Sequence, residues 1–225
     1  MNAKYQLPKD GGLAKESAPK DIVHRYEKIP TRVFENEYNG VQYIADIICR
    51  MVRQHGENAS ARDIYEELPP FVLGLTTGRT PLGLYRELVK RYQAGEISFA
   101  NVAVYSLDEF YPIRSTDQQS RNYRIHDEFL KFIDIAPENI HIPDGTVPQS
   151  EISEYCAEYE KSIRKIDLMI IGMGEEGQVG FNEQGSYAKS PTRLVELSHN
   201  SRKTQSGQFF ALENTPKMAI TIRLG

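Results

Sequence analysis

From residue 29 onward, apolar positions fall into two regimes, short unbroken runs and stripes at helical spacing. Ala45, Ile48, Cys49 and Val52 recur at i, i+3, i+4 and i+7, which predicts an amphipathic helix over residues 38–54. A second stripe of Leu84, Leu88 and Val89 predicts a helix reaching Tyr92, with Thr80 as its N-cap and Pro81 in its first turn. Residues 123–132 and 151–163 read as helices, and 62–68 as one helical turn or two. Between these stripes lie FVLGL (Phe71–Leu75), VAVYSL (102–107) and IDLMII (166–171), each apolar on both faces and of strand length. TRVF (31–34), NIHI (139–142), residues 194–197 and MAITI (218–222) read as further strands.

Strands that alternate with helices, several of them apolar on both faces, predict a parallel sheet covered on both sides. The expected fold class is α/β, a Rossmann-like three-layer α/β/α sandwich with a mostly parallel sheet. Residues 1–28 are polar, without sustained period, and interrupted by Pro8, Gly11, Gly12 and Pro19. They read as an N-terminal arm, with a short helical piece around 21–28, ahead of a single domain over 29–225. The chain stops at Gly225 directly after an apolar strand, so the domain is expected to be truncated at its C-terminus.

Composition narrows the function classes. The 225 residues carry 27 Lys and Arg against 31 Asp and Glu, a net charge of −4, with 40% hydrophobic residues. A pI near 5.8 argues against a nucleic-acid protein, which would carry a basic patch and a high pI. No apolar run approaches the roughly 20 residues of a membrane helix, and the N-terminus has no apolar signal region. Cys49 and Cys156 lie far apart among helix-like residues, which fits two reduced, buried thiols in a cytoplasmic protein and neither a disulfide framework nor a metal knuckle.

Ligands of open parallel sheets bind beyond the carboxyl ends of the strands, and three segments fall there. The first, TTGRTP (76–81), joins a strand to a helix. Gly78 lets the backbone approach a guest, Thr77 and Thr80 supply hydroxyls, and Arg79 supplies a cation, so the turn suits a phosphate; the alternative is a plain capped turn. It lacks the P-loop pattern. The second, Asp108 and Glu109, places two carboxylates at a strand end, where they can act as a general base, ligate a cation or lie as a solvated acidic turn. No His or Cys lies beside them in sequence, which argues against a transition metal. The third, GMGEEGQVGFNEQG (172–185), combines close-approach glycines with Glu175, Glu176 and Glu183. Gly172, Gly174 and Gly177 formally match a dinucleotide fingerprint, but no helix pattern follows, and a nicotinamide site is not expected.

Taken together, LGLTTGRTPLGLY (73–85), SLDEF (106–110) and residues 172–184 resemble the glucosamine-6-phosphate deaminase (isomerase) family, whose loops read LGLxTGxTPxxxY, DEY and GxGxDGHIAFNEP. GEISFAN (95–101), IDIAPENIHIPDG (133–145), Thr192 and Arg193 carry the resemblance across residues 29–225. It is strongest toward a longer-chain bacterial branch. It implies a cytoplasmic, cofactor-free, metal-free reaction of a phosphorylated amino sugar: glucosamine 6-phosphate and water become fructose 6-phosphate and ammonia. By position, Asp108 matches the proton-transferring base, and Glu183 matches the glutamate that orients a ring-opening histidine. Thr77, Gly78, Arg79 and Thr80 match the phosphate loop, and Gly174, Gly177 and Arg193 fall in substrate-binding motifs. The resemblance also implies a homo-oligomer, with no nucleic acid or membrane as partner.

Departures accompany the match. The family's DGH triplet reads Glu176, Gly177 and Gln178, so the imidazole is replaced by an amide that cannot exchange a proton near neutral pH. The five histidines, at 24, 55, 126, 141 and 199, lie outside matching motifs. Glu176 or Glu183 can assume ring opening if burial raises its pKa; otherwise the enzyme depends on open-chain sugar. The family's arginine before a Phe-Phe-like pair is Gln208 here, Arg79 stands where the family carries a small residue, and the family's later phosphate-binding lysine lies beyond residue 225. A working or weakened deaminase, a non-catalytic sugar-phosphate-binding module and another sugar-phosphate enzyme such as a lactonase are the competing readings.

Overall fold

The computed structural model describes residues 30–60, 69–163 and 165–224, without the side chains of 58–60. The expected arm over 1–28 and the helical turns at 62–68 lie outside the described residues. The chain divides into two compact units, Met1–Phe34 and Glu35–Gly225. In the first, residues 31–34 form no strand, against expectation. TRVF is four residues, two polar and then two apolar, with Pro30 before it, too short a pattern to specify a pairing partner.

The second unit opens with α1 (Glu37–Ser60), followed by β1 (Phe71–Leu75), α2 (Leu82–Gln93), β2 (Val102–Ser106) and β3 (Asp108–Tyr111). Then come α3 (Arg121–Glu128), β4 (Ile140–His141), α4 (Ile152–Ser162), β5 (Leu168–Met169), β6 (Arg193–Glu196), α5 (His199–Gln205) and β7 (Met218–Thr221). Four strands form a parallel sheet in the order β4-β2-β1-β5. Its two faces follow the alternation of β1 and β2. Phe71, Leu73, Leu75, Val102 and Val104 pack against α1, α2 and α3 through Ile48, Leu84, Leu88 and Ile125. Val72, Ala103 and Tyr105 face the other way, against Tyr159 of α4. Helices therefore cover both faces, as the doubly apolar runs require.

The remaining strands depart from the expected single sheet. β3, β7 and β6 form a separate three-stranded antiparallel sheet, in the order β3-β7-β6. Helix α4 bridges the two sheets with one stripe: Ile152, Tyr155 and Cys156 pack under Ile220 and Leu194, while Tyr159 reaches the parallel sheet. β3 pairs along its whole length with β7, from Asp108 opposite Thr221 to Tyr111 opposite Met218, and the burial this gives its two carboxylates is not announced by its sequence. α5 has no apolar stripe; it is held at its start by Ser198, whose side chain accepts the Ser201 N–H. α3 ends at Phe129, where the backbone leaves helical angles, and 130–132 form a 3₁₀ turn. Cys49 and Cys156 are free and buried. Among the described residues, no helix is long and apolar enough to cross a membrane.

Candidate active site

Strand register gathers the three loops at one end of the parallel sheet. β1 and β2 end together with Leu75 opposite Ser106, and the Leu107 N–H donates to the Leu75 carbonyl at 2.9 Å. On the other side of β1, Gly74 pairs with Met169 of β5, and the Ile170 N–H donates to the Gly74 carbonyl at 2.9 Å. The turn at 76–80, Asp108 and the glycine-rich segment after 170 thus all leave the sheet past its carboxyl edge.

Asp108 is the most enclosed member, 3% exposed. The Arg121 Nε donates to its Oδ1 at 3.2 Å, and the Phe181 N–H donates to the carboxylate as well. Gly180 lies against its other oxygen: a Cβ there would come within 2.5 Å of Oδ2, and φ of +56° already favours glycine. Burial pushes the Asp108 carboxyl above the ordinary range, while the Arg121 charge and the two hydrogen bonds pull it back.

Glu109 has a different duty. Its carboxylate accepts from the N–H groups of Phe110, Arg121 and Asn122 and from the Ser120 hydroxyl, at 2.8–2.9 Å. Ser120 in turn accepts the Tyr123 N–H as the N-cap of α3. Glu109 therefore closes the start of the helix that carries Arg121. Burial raises its pKa, and these donors oppose the rise.

The 76–80 turn is anchored from below. Thr76 is buried, and its carbonyl accepts a hydrogen bond from the hydroxyl of Tyr85, itself fully buried in α2. Gly78 has φ of +119° and open space where a Cβ would stand. Thr77 and Gly78 are half-buried; Arg79 and Thr80 are exposed. Contrary to expectation, Thr80 does not cap α2: Pro81 occupies the cap position, with no side-chain hydrogen bond. Tyr85→Phe leaves the Thr76 carbonyl without its donor in a dry setting and should cost about 1–3 kcal/mol in urea unfolding.

The glycine-rich segment folds on itself. The Gly174 N–H donates to the Gln178 carbonyl at 2.8 Å, and the Gly177 N–H, with φ of +78°, donates to the Gly174 carbonyl at 2.9 Å. Gln178 lays its carboxamide across Gly174, where a Cβ would come within 2.3 Å of it, and accepts the Glu176 N–H at 3.0 Å. Glu176 is exposed and accepts from the Asn200 side chain at 2.6 Å. Glu183 accepts the Ser198 N–H through Oε2 at 3.0 Å, and its Oε1 is buried without a partner among the described residues. Glu176 and Glu183 thus tether this loop to the start of α5. Arg193 donates to Asn182 at 3.2 Å and to Ser186 at 2.7 Å, bracing the same loop, and Asn182 donates to Thr221 at 2.9 Å.

The structure therefore brings the 76–80 turn, Asp108 and the glycine-rich loop to one edge. Among the described residues no hydrogen bond joins Asp108 to Glu176, Gln178 or Glu183, and no three His, Cys, Asp or Glu side chains cluster as a metal site requires. Arg121, Asn182 and Gly180 were not marked by the sequence reading. Arg121 had one available signal, the N-cap serine that precedes it by one residue and places it in the first turn of a helix.

Comparison with known proteins fits this arrangement. Residues 45–207 match the family model described as glucosamine-6-phosphate isomerases/6-phosphogluconolactonase. A glucosamine-6-phosphate deaminase of Thermoanaerobacter pseudethanolicus is 39% identical over 71% of this chain and 64% of its own length. A putative glucosamine-6-phosphate deaminase-like protein of Bacteroides thetaiotaomicron is 35% identical over 90% of this chain, which spans only 30% of that protein. The solved structure of a monomeric glucosamine-6-phosphate deaminase superposes with a TM-score of 0.75 at 29% identity, over 85% of this chain and 74% of that one. A 6-phosphogluconolactonase of Thermotoga maritima shares the fold, with a TM-score of 0.56 at 20% identity. With residues 45–207 matched to its family model, the chain belongs to the glucosamine-6-phosphate isomerase/6-phosphogluconolactonase family.

Proposed function

We propose that this chain carries the deaminase chemistry of its family, turning glucosamine 6-phosphate and water into fructose 6-phosphate and ammonia. The observation that carries the reading is Asp108: a buried carboxylate at the carboxyl end of the parallel sheet, beside a glycine–threonine turn suited to a phosphate. In this reading the Thr77–Gly78–Arg79–Thr80 turn holds the phosphate through backbone N–H groups, hydroxyls and the Arg79 charge. Asp108 takes the C2 proton of the open-chain amino sugar and returns it to C1. The resulting C2 imine adds water and releases ammonia. A fixed base next to a fixed anion clamp supplies positioning as well as proton transfer.

Ring opening is the weak step. Gln178 turns its amide into its own loop, and Glu176 is exposed and engaged with Asn200. Glu183, half-buried with one free oxygen, is the better-placed carboxylate to assist. Gln178→His restores an exchangeable imidazole and should raise ammonia release from ring-closed substrate by about 10²–10⁴, the usual contribution of a general acid–base group. No rise, in a variant that folds and binds, would remove ring opening as the limiting step.

The Gln178 geometry also favours a second reading, a sugar-phosphate-binding module without turnover. The two part on a paired measurement: thermal stabilisation by glucosamine 6-phosphate, and ammonia release from it. Stabilisation with ammonia supports the deaminase; stabilisation without ammonia supports the module; neither, in folded protein, overturns both.

A further inference from the structure

The geometry points to Arg121 as the positioning residue that supplies the counter-charge to Asp108 and orients it within its enclosed site. Deepening the reaction proposed above, this inference rests on that reading for its effect on rate but not for its effect on the carboxylate itself.

The two side chains form an ion pair at 3.2 Å, with side chains 6% and 4% exposed. An isolated carboxylate buried this far would take up a proton, because the charged form loses its water. Arg121 opposes that, and its placement is tightly determined. Its guanidinium carbon lies 4.5 Å from the centre of the Phe110 ring and 5.2 Å from that of Phe181. Two aromatic rings thus contact the cation while the Nε edge faces the carboxylate. Its backbone is fixed by Glu109, which accepts the Arg121 N–H at 2.9 Å.

The other neighbours of Asp108 leave this task to Arg121. Glu109 turns its carboxylate to the start of α3. β7 presents Thr221 opposite Asp108, and Arg193, next along that row, is engaged with Asn182 and Ser186. The glycine-rich loop offers the Phe181 N–H and the bare backbone of Gly180. Arg121 is thus the cationic side chain paired with Asp108, its Nε donating to Oδ1, and the Phe181 N–H is the carboxylate's second donor.

The test follows the Asp108 carboxyl by ¹³C NMR across pH, its signal assigned by its loss in Asp108→Asn. Arg121→Met, similar in bulk and neutral, should raise the titration midpoint by about one unit or more. Arg121→Lys should hold it within about half a unit of the wild type, because the charge is kept. Arg121→Gln serves as a second neutral variant should the Met variant fail to fold. A midpoint in the folded neutral variants equal to that of the wild type overturns the proposal. The acidic limb of the ammonia-release profile should move with the midpoint, rescued in part by Lys. Absence of ammonia from the wild type would instead strike the proposed reaction, and the titration would still decide the role of Arg121.

Discussion

Asp108→Asn is expected to lower ammonia release from glucosamine 6-phosphate by about 10²–10⁴. The amide keeps an oxygen toward the Arg121 Nε but cannot take a proton, so the loss falls on turnover and not on capture of the phosphate. The 76–80 turn lies on the neighbouring strand end and shares no hydrogen bond with Asp108, so stabilisation by the sugar phosphate should survive. The variant also leaves the buried Arg121 without its counter-charge, which costs about 3–5 kcal/mol for a broken buried pair. Far-UV circular dichroism and a urea curve must therefore accompany the assay. Unchanged turnover in the folded variant would remove Asp108 from the chemistry and leave it as a structural partner of Arg121.

The second large effect is on stability. Glu109→Ala strips four donors of their acceptor at once, three backbone N–H groups and the Ser120 hydroxyl. All lie at a buried junction between β3 and α3. Loss of the helix-end acceptor and the unmade hydrogen bonds should together lower unfolding free energy by about 3–5 kcal/mol in urea denaturation. Glu109→Gln keeps one acceptor oxygen but turns an N–H₂ toward other donors, and should fall between the two. The variants separate the adjacent carboxylates by function. Both variants should lose stability on this scale, whereas turnover in folded protein should respond most to Asp108. A Glu109→Ala protein as stable as the wild type would contradict the capping role.

The chemistry of the three loops was more legible than the architecture that supports them. FVLGL and VAVYSL pair at their full predicted start, Phe71 opposite Val102, because runs apolar on both faces have only the interior of a parallel sheet to occupy. The same reasoning ends the second run at Leu107 and places the acidic pair just past the strand end, as reactive carboxylates or a solvated turn and not as part of a further strand. Two adjacent carboxylates look solvated in a sequence. Their burial depends on Arg121 and on the α3 N-terminus, both a dozen residues away, and no local pattern reveals that. The antiparallel β3-β7-β6 sheet was hidden for this reason, since its first strand was not recognised as a strand.

The site shows the same division. Spacing and resemblance marked Asp108, the 76–80 turn and the glycine-rich loop, and the strand register brings them to one edge. What they touch could not be read. Glu176 and Glu183 are the candidates for ring opening in the sequence, yet one engages the Asn200 side chain and the other the Ser198 N–H. Gly180 passes unnoticed as one glycine among several, until its missing side chain proves to be the space that the Asp108 carboxylate occupies.

The central claim is that this chain performs deamination with Asp108 as the base, and the most direct measurement is on the wild-type protein. Purified protein incubated with glucosamine 6-phosphate should release ammonia and fructose 6-phosphate in equal amounts, each followed by its own coupled assay. Matched release, lost in Asp108→Asn, is the predicted result. Folded protein that is stabilised by glucosamine 6-phosphate but forms neither product would contradict the account, and would assign the site to binding alone.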